Sequence, residues 1–448
     1  MDHLLVLALY GACLCVLVLF TKPGRSAKYF TFFLCLYWLK VAIVLVVYQN
    51  NLATISDIRL YSIYDAAGNY ADTLDMLDSN LRVFIPALPP SAADPGYNTL
   101  LYWIGEIYRT AFRINGPDYL LFLYSNVFFG TLLSVAITHY LSTWRLLSAR
   151  TISGAGMLLA VGEPTLLAFA AVLEREIVVA LIALLTFVSF MEQRWIRFIV
   201  GSVLLFLFRS AYGYLIPAIV IVWVAFGNVW WFKRHLLITA GLIVLVFGVA
   251  VQIVAAVNPV FNDYMFRHVM NDSADLAGFG GYIQRLPPGL SVMAYGLLGF
   301  VSPVPAYPMF DARVRGFNIF GALVGFGSAS YLACILIVAT ALRRLRDVAY
   351  GVGPIEPTDR AEAQAQFLMV AKGFVIVLVS QMVFQGLLYN VRHKVQIIPF
   401  LLLLTLYSLQ FLKTKPGALR LLMLRPVAWS VCLIAGLNLL YVVARLGL

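Results

Sequence analysis

The chain has 448 residues, 62% of them hydrophobic and only 12% charged, with a mean hydropathy of +0.88; a soluble protein of this length carries about twice that share of charge. Its apolar residues come in repeated blocks long enough to cross about 30 Å of hydrocarbon, which excludes a water-soluble fold, a coiled coil or a disordered chain and predicts an all-α polytopic membrane protein. The net charge of +11 does not by itself mean a nucleic-acid partner, because short cytoplasmic loops of membrane proteins retain Lys and Arg.

The first apolar block, 4–20, has no basic segment before it and Lys22, Arg25 and Lys28 after it. That is the reverse of a cleavable secretory signal, so the block reads as a retained helix with its N-terminus outside. The next span, about 29–48, delivers the chain to a polar outer segment. Residues 97–113 have a helical pattern but carry Glu106, Arg109 and Arg113, and read as an amphipathic or re-entrant helix at the outer interface. The first outer segment with this helix covers 49–117.

Further spans are expected near 118–142, 152–172, 176–193, 196–209, 211–232 and 236–257, followed by a second outer segment at 258–316. The last spans fall near 317–341, 366–389, 395–412 and 427–443, which makes about twelve in one transmembrane domain, 1–448. A cytoplasmic loop, 343–365, has the Gly, Pro and charge content of a solvated linker. This threading leaves a clear excess of Lys and Arg in the cytoplasmic loops and a near balance outside. Orientation and anionic lipid account for most of the surplus positive charge, and nucleic acid drops out as a partner. There is no GxxxxGK[ST] and no GxGxxG after a strand, so ATP-driven transport by this chain alone is not expected. Cys13, Cys15, Cys35, Cys334 and Cys432 lie in apolar blocks without CxxC spacing, which argues against a disulfide framework or a zinc site.

The informative charge sits near helix ends at the outer surface. In the first outer segment Asp65 and Asp72 are expected in one short helical stretch, sharing a face at i and i+7. A carboxylate at an aqueous mouth can act as a general base toward a hydroxyl, and the same acids can also simply solvate a loop. Glu174, Arg175 and Glu176 are three consecutive charges in a tight hairpin between apolar spans, costly unless they pair or meet a ligand. Arg209 interrupts FLFRSAYGYLIP with Tyr212 beside it; it reads as a phosphate ligand, a snorkelling side chain or a partner of Glu174. Arg392, His393 and Lys394 join two spans on the outer side, where basic residues are disfavoured, and ligand binding is the better account. Together Arg175, Arg209, Arg392, His393 and Lys394 could hold a diphosphate. Tyr70, Tyr97, Trp103 and Tyr212 could contact sugar rings, and an interfacial aromatic belt explains such residues equally well. His268 and His393 have no companion His, so metal ligation is not expected. Well inside the spans only Lys40, Glu163 and Lys372 are charged.

Asp65 followed by Tyr70, then Asp94-Pro95-Gly96-Tyr97 opening a helix with Leu100 and Leu101, resembles the beginning of EpsG-like and Wzy-type polysaccharide polymerases. Arg175-Glu176 opening a span, and Arg392 before the Ile398-Pro399-Phe400 span, are similar to the way those proteins place later basic residues. Asp65 also resembles the acidic residue of the wider GT-C class of membrane glycosyltransferases, although the paired acidic dipeptide many of them carry is missing, which leaves use of a divalent metal open. The resemblance implies a bacterial inner-membrane glycosyltransferase that joins polyprenyl-diphosphate-linked sugar units at the outer face. Asp65, Asp72, Asp94 and Glu174 are then the candidate catalytic carboxylates, and no other cofactor is implied. The implied partners are lipid-linked donor and acceptor glycans, membrane lipids, and chain-length regulator and flippase proteins. Two alternatives stay open: a GT-C transferase adding one sugar from a polyprenyl phosphate, and a lipid-linked oligosaccharide flippase or transporter, for which Glu163 beside Pro164 is the best sequence signal.

Overall fold

The computed structural model describes residues 2–21, 27–54, 66–79, 95–144, 163–209, 318–350, 357–387 and 392–409, and a few further positions (290, 294, 425, 428–430, 432–434 and 436). Among the described residues every regular element is helical. The helices are α1 (Asp2–Leu19), α2 (Ala27–Thr54), α3 (Ala66–Asp78), α4 (Pro95–Ala111), α5 (Tyr119–Thr143), α6 (Pro164–Ala170), α7 (Glu176–Met191), α8 (Trp195–Phe208), α9 (Ile319–Tyr350), α10 (Pro357–Leu387), α11 (Arg392–Val395) and α12 (Ile398–Leu409). Among the described residues five stretches are long and apolar enough to cross a membrane: Asp2–Leu19, Ala27–Thr54, Tyr119–Thr143, Ile319–Ala349 and Ala361–Gln381. They are compatible with a membrane protein, as is the large apolar surface left exposed at Leu4 of α1, at Phe20 just after it, and at Ile196 and Ile199 of α8.

Several expected boundaries move. The expected span 152–172 is not one helix through Glu163, because Pro164 has no N–H to continue a ladder; Glu163 is extended (φ −73°, ψ 110°) and caps α6 by accepting from Leu166 N at 2.7 Å. The expected linker 343–365 is largely helical, α9 running on to Tyr350 and α10 starting at Pro357. RRLRDVAY and AEAQAQ are built from good helix formers, and propensity outweighs their charge. The expected span 395–412 is interrupted by a turn at Gln396 and Ile397 before α12. The expected spans 211–232 and 236–257 and the second outer segment lie outside the described residues, apart from Leu290 and Ala294 of the latter; the expected last span, 427–443, is described only at scattered positions.

The chain divides into two compact units, Met1–Gly213 with Ala306–Gly327, and Tyr214–Pro305 with Ser328–Leu448. In the first, α5 is buried along most of its length, against α1, α2, α6 and α7. Its hydroxyls at Thr131, Ser134 and Thr138 bond back to carbonyls one turn earlier, so each is satisfied inside the helix. Lys40 of α2, expected as a charge inside a span, donates to Gly130 O at 2.7 Å and Ser134 Oγ at 2.9 Å on α5. Asn318 clasps the end of α2, donating to Asn51 Oδ1 (3.1 Å) and Thr54 Oγ1 (3.0 Å) while accepting from Gly321 N as a helix cap. In the second unit Tyr331 of α9 donates to Gln381 Oε1 of α10 at 2.9 Å.

The helix expected at 97–113 is α4, and its buried residues Tyr97, Leu101, Ile104 and Tyr108 recur at helical spacing on one face. Tyr108 OH lies 2.7 Å from Tyr10 OH of α1 and donates to Leu121 O of α5, pinning one end of α4. The other end meets α8 backbone to backbone: a Cβ on Gly96 would lie 2.7 Å from Leu207 O. No side chain fits there without moving one helix. Gly96→Ala should therefore lower stability in detergent micelles by about 1–3 kcal/mol. Gly68→Ala in α3, where nothing lies within 4 Å of the added methyl, should leave the thermal midpoint unchanged or raise it; equal losses in both would contradict the close approach.

Candidate functional site

The site grows from a hairpin. α7 and α8 are apolar helices joined by a turn at Glu192–Arg194, so the start of α7 and the end of α8 lie side by side. Glu176 occupies the first turn of α7, where the helix dipole favours a carboxylate, and Arg209 follows the last residue of α8, where it favours a cation. The two close on each other: Arg209 Nη1 donates to Glu176 Oε1 at 2.6 Å and Oε2 at 3.0 Å, with the side chains 7% and 0% exposed. Arg209 is thus paired with Glu176, which corrects the expected alternative of Glu174. At the opposite end of the hairpin Glu192 accepts from Trp144 Nε1 (3.0 Å) and Arg194 Nε (2.9 Å).

The stretch before α7, Ala171–Arg175, is non-helical yet fully enclosed, so its backbone needs partners. α5 supplies them. Asn126 Nδ2 donates to Val172 O at 2.7 Å and Glu174 O at 3.2 Å, and Tyr119 OH accepts from Leu173 N at 2.8 Å. Asn126 sits about 10 Å of helix below the start of α5. The charged turn is therefore recessed beside α5 rather than standing above it. Glu174 and Arg175 are enclosed with it, at 0% and 5% exposure.

The first turn of α4 covers the turn. Tyr97 OH donates to Asn126 Oδ1 at 3.3 Å, so one amide links α4, α5 and the turn. Burial, and after it the Glu174 carboxylate, pushes the Tyr97 phenol well above its ordinary range; it stays protonated and remains a donor. The next residue, Asn98, turns to α3 and donates to Asp72 Oδ2 at 3.4 Å. Asp72 is half-buried. Tyr70 donates to Pro117 O at 3.2 Å and packs edge-on against Tyr119, which stacks on Tyr48 at 6.0 Å.

Thus Tyr97, Glu174, Arg175 and Arg209 come together in the first unit around Glu176, and Asp72 is linked to them only through Asn98, the residue after Tyr97. Tyr70 joins them indirectly, through Tyr119. Trp103 lies on a different face of α4, 37% exposed, and does not join them. Lys394 belongs to the second unit, buried, with its ammonium 5.1 Å from the Tyr331 ring centre. Asp65, Asp94 and Tyr212, and the side chains of Arg392 and His393, lie outside the described residues. Among the described residues no group of three or more His, Cys, Asp or Glu could hold a metal ion. Reading by charge misses Asn98, Tyr119 and Asn126; an amide inside the apolar run of α5 is the one signal that could have found Asn126, since a buried amide must bond to something.

Compared with known proteins, the chain matches no protein-family model, no curated protein and no solved structure.

Removing one partner of a buried ion pair leaves the other uncompensated, whereas replacing both by apolar groups does not. Glu176→Gln and Arg209→Met should each lower stability by about 3–5 kcal/mol, and Glu176→Leu with Arg209→Met together should recover most of it. Additive losses in a double-mutant cycle of micelle unfolding would mean that the pair is not coupled.

Proposed function

We propose that the protein is a membrane glycosyltransferase of the polymerase kind, which joins sugar units carried on a polyprenyl diphosphate at the outer face of a bacterial inner membrane. The observation that supports this most is the recessed turn, with two carboxylates and two guanidinium groups enclosed at the ends of apolar helices beneath the first turn of α4. Desolvating four charges is costly, and a turn serving only to reverse the chain needs none of them. Transfer from a lipid diphosphate uses both signs.

In this reading a carboxylate takes the proton of the acceptor hydroxyl, and the hydroxyl oxygen bonds to the anomeric carbon of the donor sugar. The bond from that carbon to the diphosphate oxygen breaks, its electron pair leaves with the polyprenyl diphosphate, and arginine stabilises the charge as it develops. Asp72, half-buried on α3, and Glu174, adjoining the ion pair, are the described carboxylates suited to the proton transfer; Asp65 and Asp94 are the further candidates from the sequence. The formal charges of Glu174, Arg175, Glu176 and Arg209 cancel, so the site is not a standing anion sink. Arg209 exchanges Glu176 for phosphate oxygens when the donor arrives, and Glu176 takes it back when the lipid leaves.

Cells lacking the protein should accumulate one complete glycan repeat unit on its lipid carrier and lose the polymer, as read by mass-resolved profiling of lipid-linked glycans. A lipid-linked glycan one sugar short would replace this reading by a single-sugar transferase. A complete unit trapped on the cytoplasmic side would replace it by a flippase.

A further inference from the structure

The α3–α4 pair carries buried polar atoms that the charged turn does not use. The two helices pack parallel: Asp72 meets Asn98 at one end, while Leu77 meets Gly105 and accepts from Arg109 at the other. Asn69 lies one turn before Asp72 on the same face of α3, so Asn69, Asp72 and Asn98 gather at the end of the pair where Gly96 abuts α8. Asn98 is 1% exposed, and its Oδ1 accepts from nothing; Asn69 is 5% exposed, and its Nδ2 donates to nothing. A buried acceptor and a buried donor, each unsatisfied, are held within one helical turn of a half-buried carboxylate. Each costs stability as it stands, and together they form a complementary set.

The chemistry that satisfies both amide atoms beside the Asp72 carboxylate is a polyol. A sugar hydroxyl donates to Asn98 Oδ1, a neighbouring hydroxyl accepts from Asn69 Nδ2, and a third donates to the Asp72 carboxylate. An anion does not fit, since two of the three groups are acceptors. A hydrocarbon chain leaves both amide atoms unsatisfied. We propose that Asn69 and Asn98 form the hydroxyl-binding wall of a carbohydrate subsite, with Asp72 at its mouth. The inference rests on the glycosyltransferase reading and adds to it a division of labour: the α3–α4 end selects the sugar, and the turn at Glu174–Glu176 with Arg209 handles the diphosphate.

This assignment has an unusual signature. Because Asn69 Nδ2 is unsatisfied in the free protein, Asn69→Leu removes a buried donor that has no partner, which is neutral or stabilising for the fold, whereas Asn98→Leu removes an unsatisfied acceptor together with the bond to Asp72. Either change weakens sugar binding, and at Asn69 this is the trade between stability and function that built sites show. A purely structural amide would behave oppositely and lose stability.

The test compares two probes on the purified protein in nanodiscs: undecaprenyl diphosphate, and the lipid-linked glycan fraction of the producing cells. The wild type should bind the glycosylated lipid at least about tenfold more tightly than the bare one, a difference of about 1.4 kcal/mol. Asn69→Leu and Asn98→Leu should lose that preference and keep the affinity for bare undecaprenyl diphosphate, and Asn69→Leu should unfold at an unchanged or higher temperature. Retention of the preference in both variants overturns the subsite, as does a wild type that binds the two lipids equally. If the wild type binds neither lipid, the glycosyltransferase reading fails and the subsite with it.

Discussion

A carboxylate and a guanidinium enclosed where two apolar helices end set the terms for everything around them. Glu176 and Arg209 are held 2.6 Å apart with almost no exposure, and such a pair persists only if the surrounding backbone is also satisfied. That requirement explains Asn126. Its single amide bonds Val172 and Glu174 with its nitrogen and Tyr97 with its oxygen, so the turn, the central helix α5 and the covering helix α4 stand or fall together. The close approach of Gly96 to α8 belongs to the same constraint, since α4 reaches the turn only if its first residues lie directly on the α8 backbone.

Depth follows from the lengths of the helices. α5 is 25 residues long and can span a bilayer, whereas α7 and α8, at 16 and 14 residues, reach only about 24 and 21 Å. Their charged ends therefore sit beside α5 below its own end. A recessed polar floor under an amphipathic helix is suited to a ligand that is part lipid and part water-soluble. On the proposed function the head group of such a ligand meets charge within a low dielectric, where fixed donors act most strongly.

Much of the scaffold was legible in the sequence. The apolar spacing of Tyr97, Leu101, Ile104 and Tyr108 gave α4 to within about two residues, and the charges at 174–176 and 209 marked a place where pairing or a ligand was required. What could not be read was who pairs with whom. Arg209 and Glu176 are 33 residues apart, and their meeting depends on how the α7–α8 hairpin closes; by sequence alone Glu174 is an equal candidate. Asn98, Tyr119 and Asn126 are neutral residues that give no charge signal, and their role depends on backbone groups exposed by a turn that no periodicity announces. The helical extensions of α9 and α10 were hidden for the converse reason, because charge suggested a solvated linker where Arg, Ala, Glu and Gln also favour helix.

The central claim is that the protein breaks a sugar–diphosphate bond rather than moving an intact lipid. The most direct measurement uses the purified protein in proteoliposomes containing lipid-linked repeat units, with free polyprenyl diphosphate and new glycosidic bonds counted in the same sample. The account predicts one polyprenyl diphosphate released for each bond formed. Movement of repeat units between leaflets with no polyprenyl diphosphate released would contradict it.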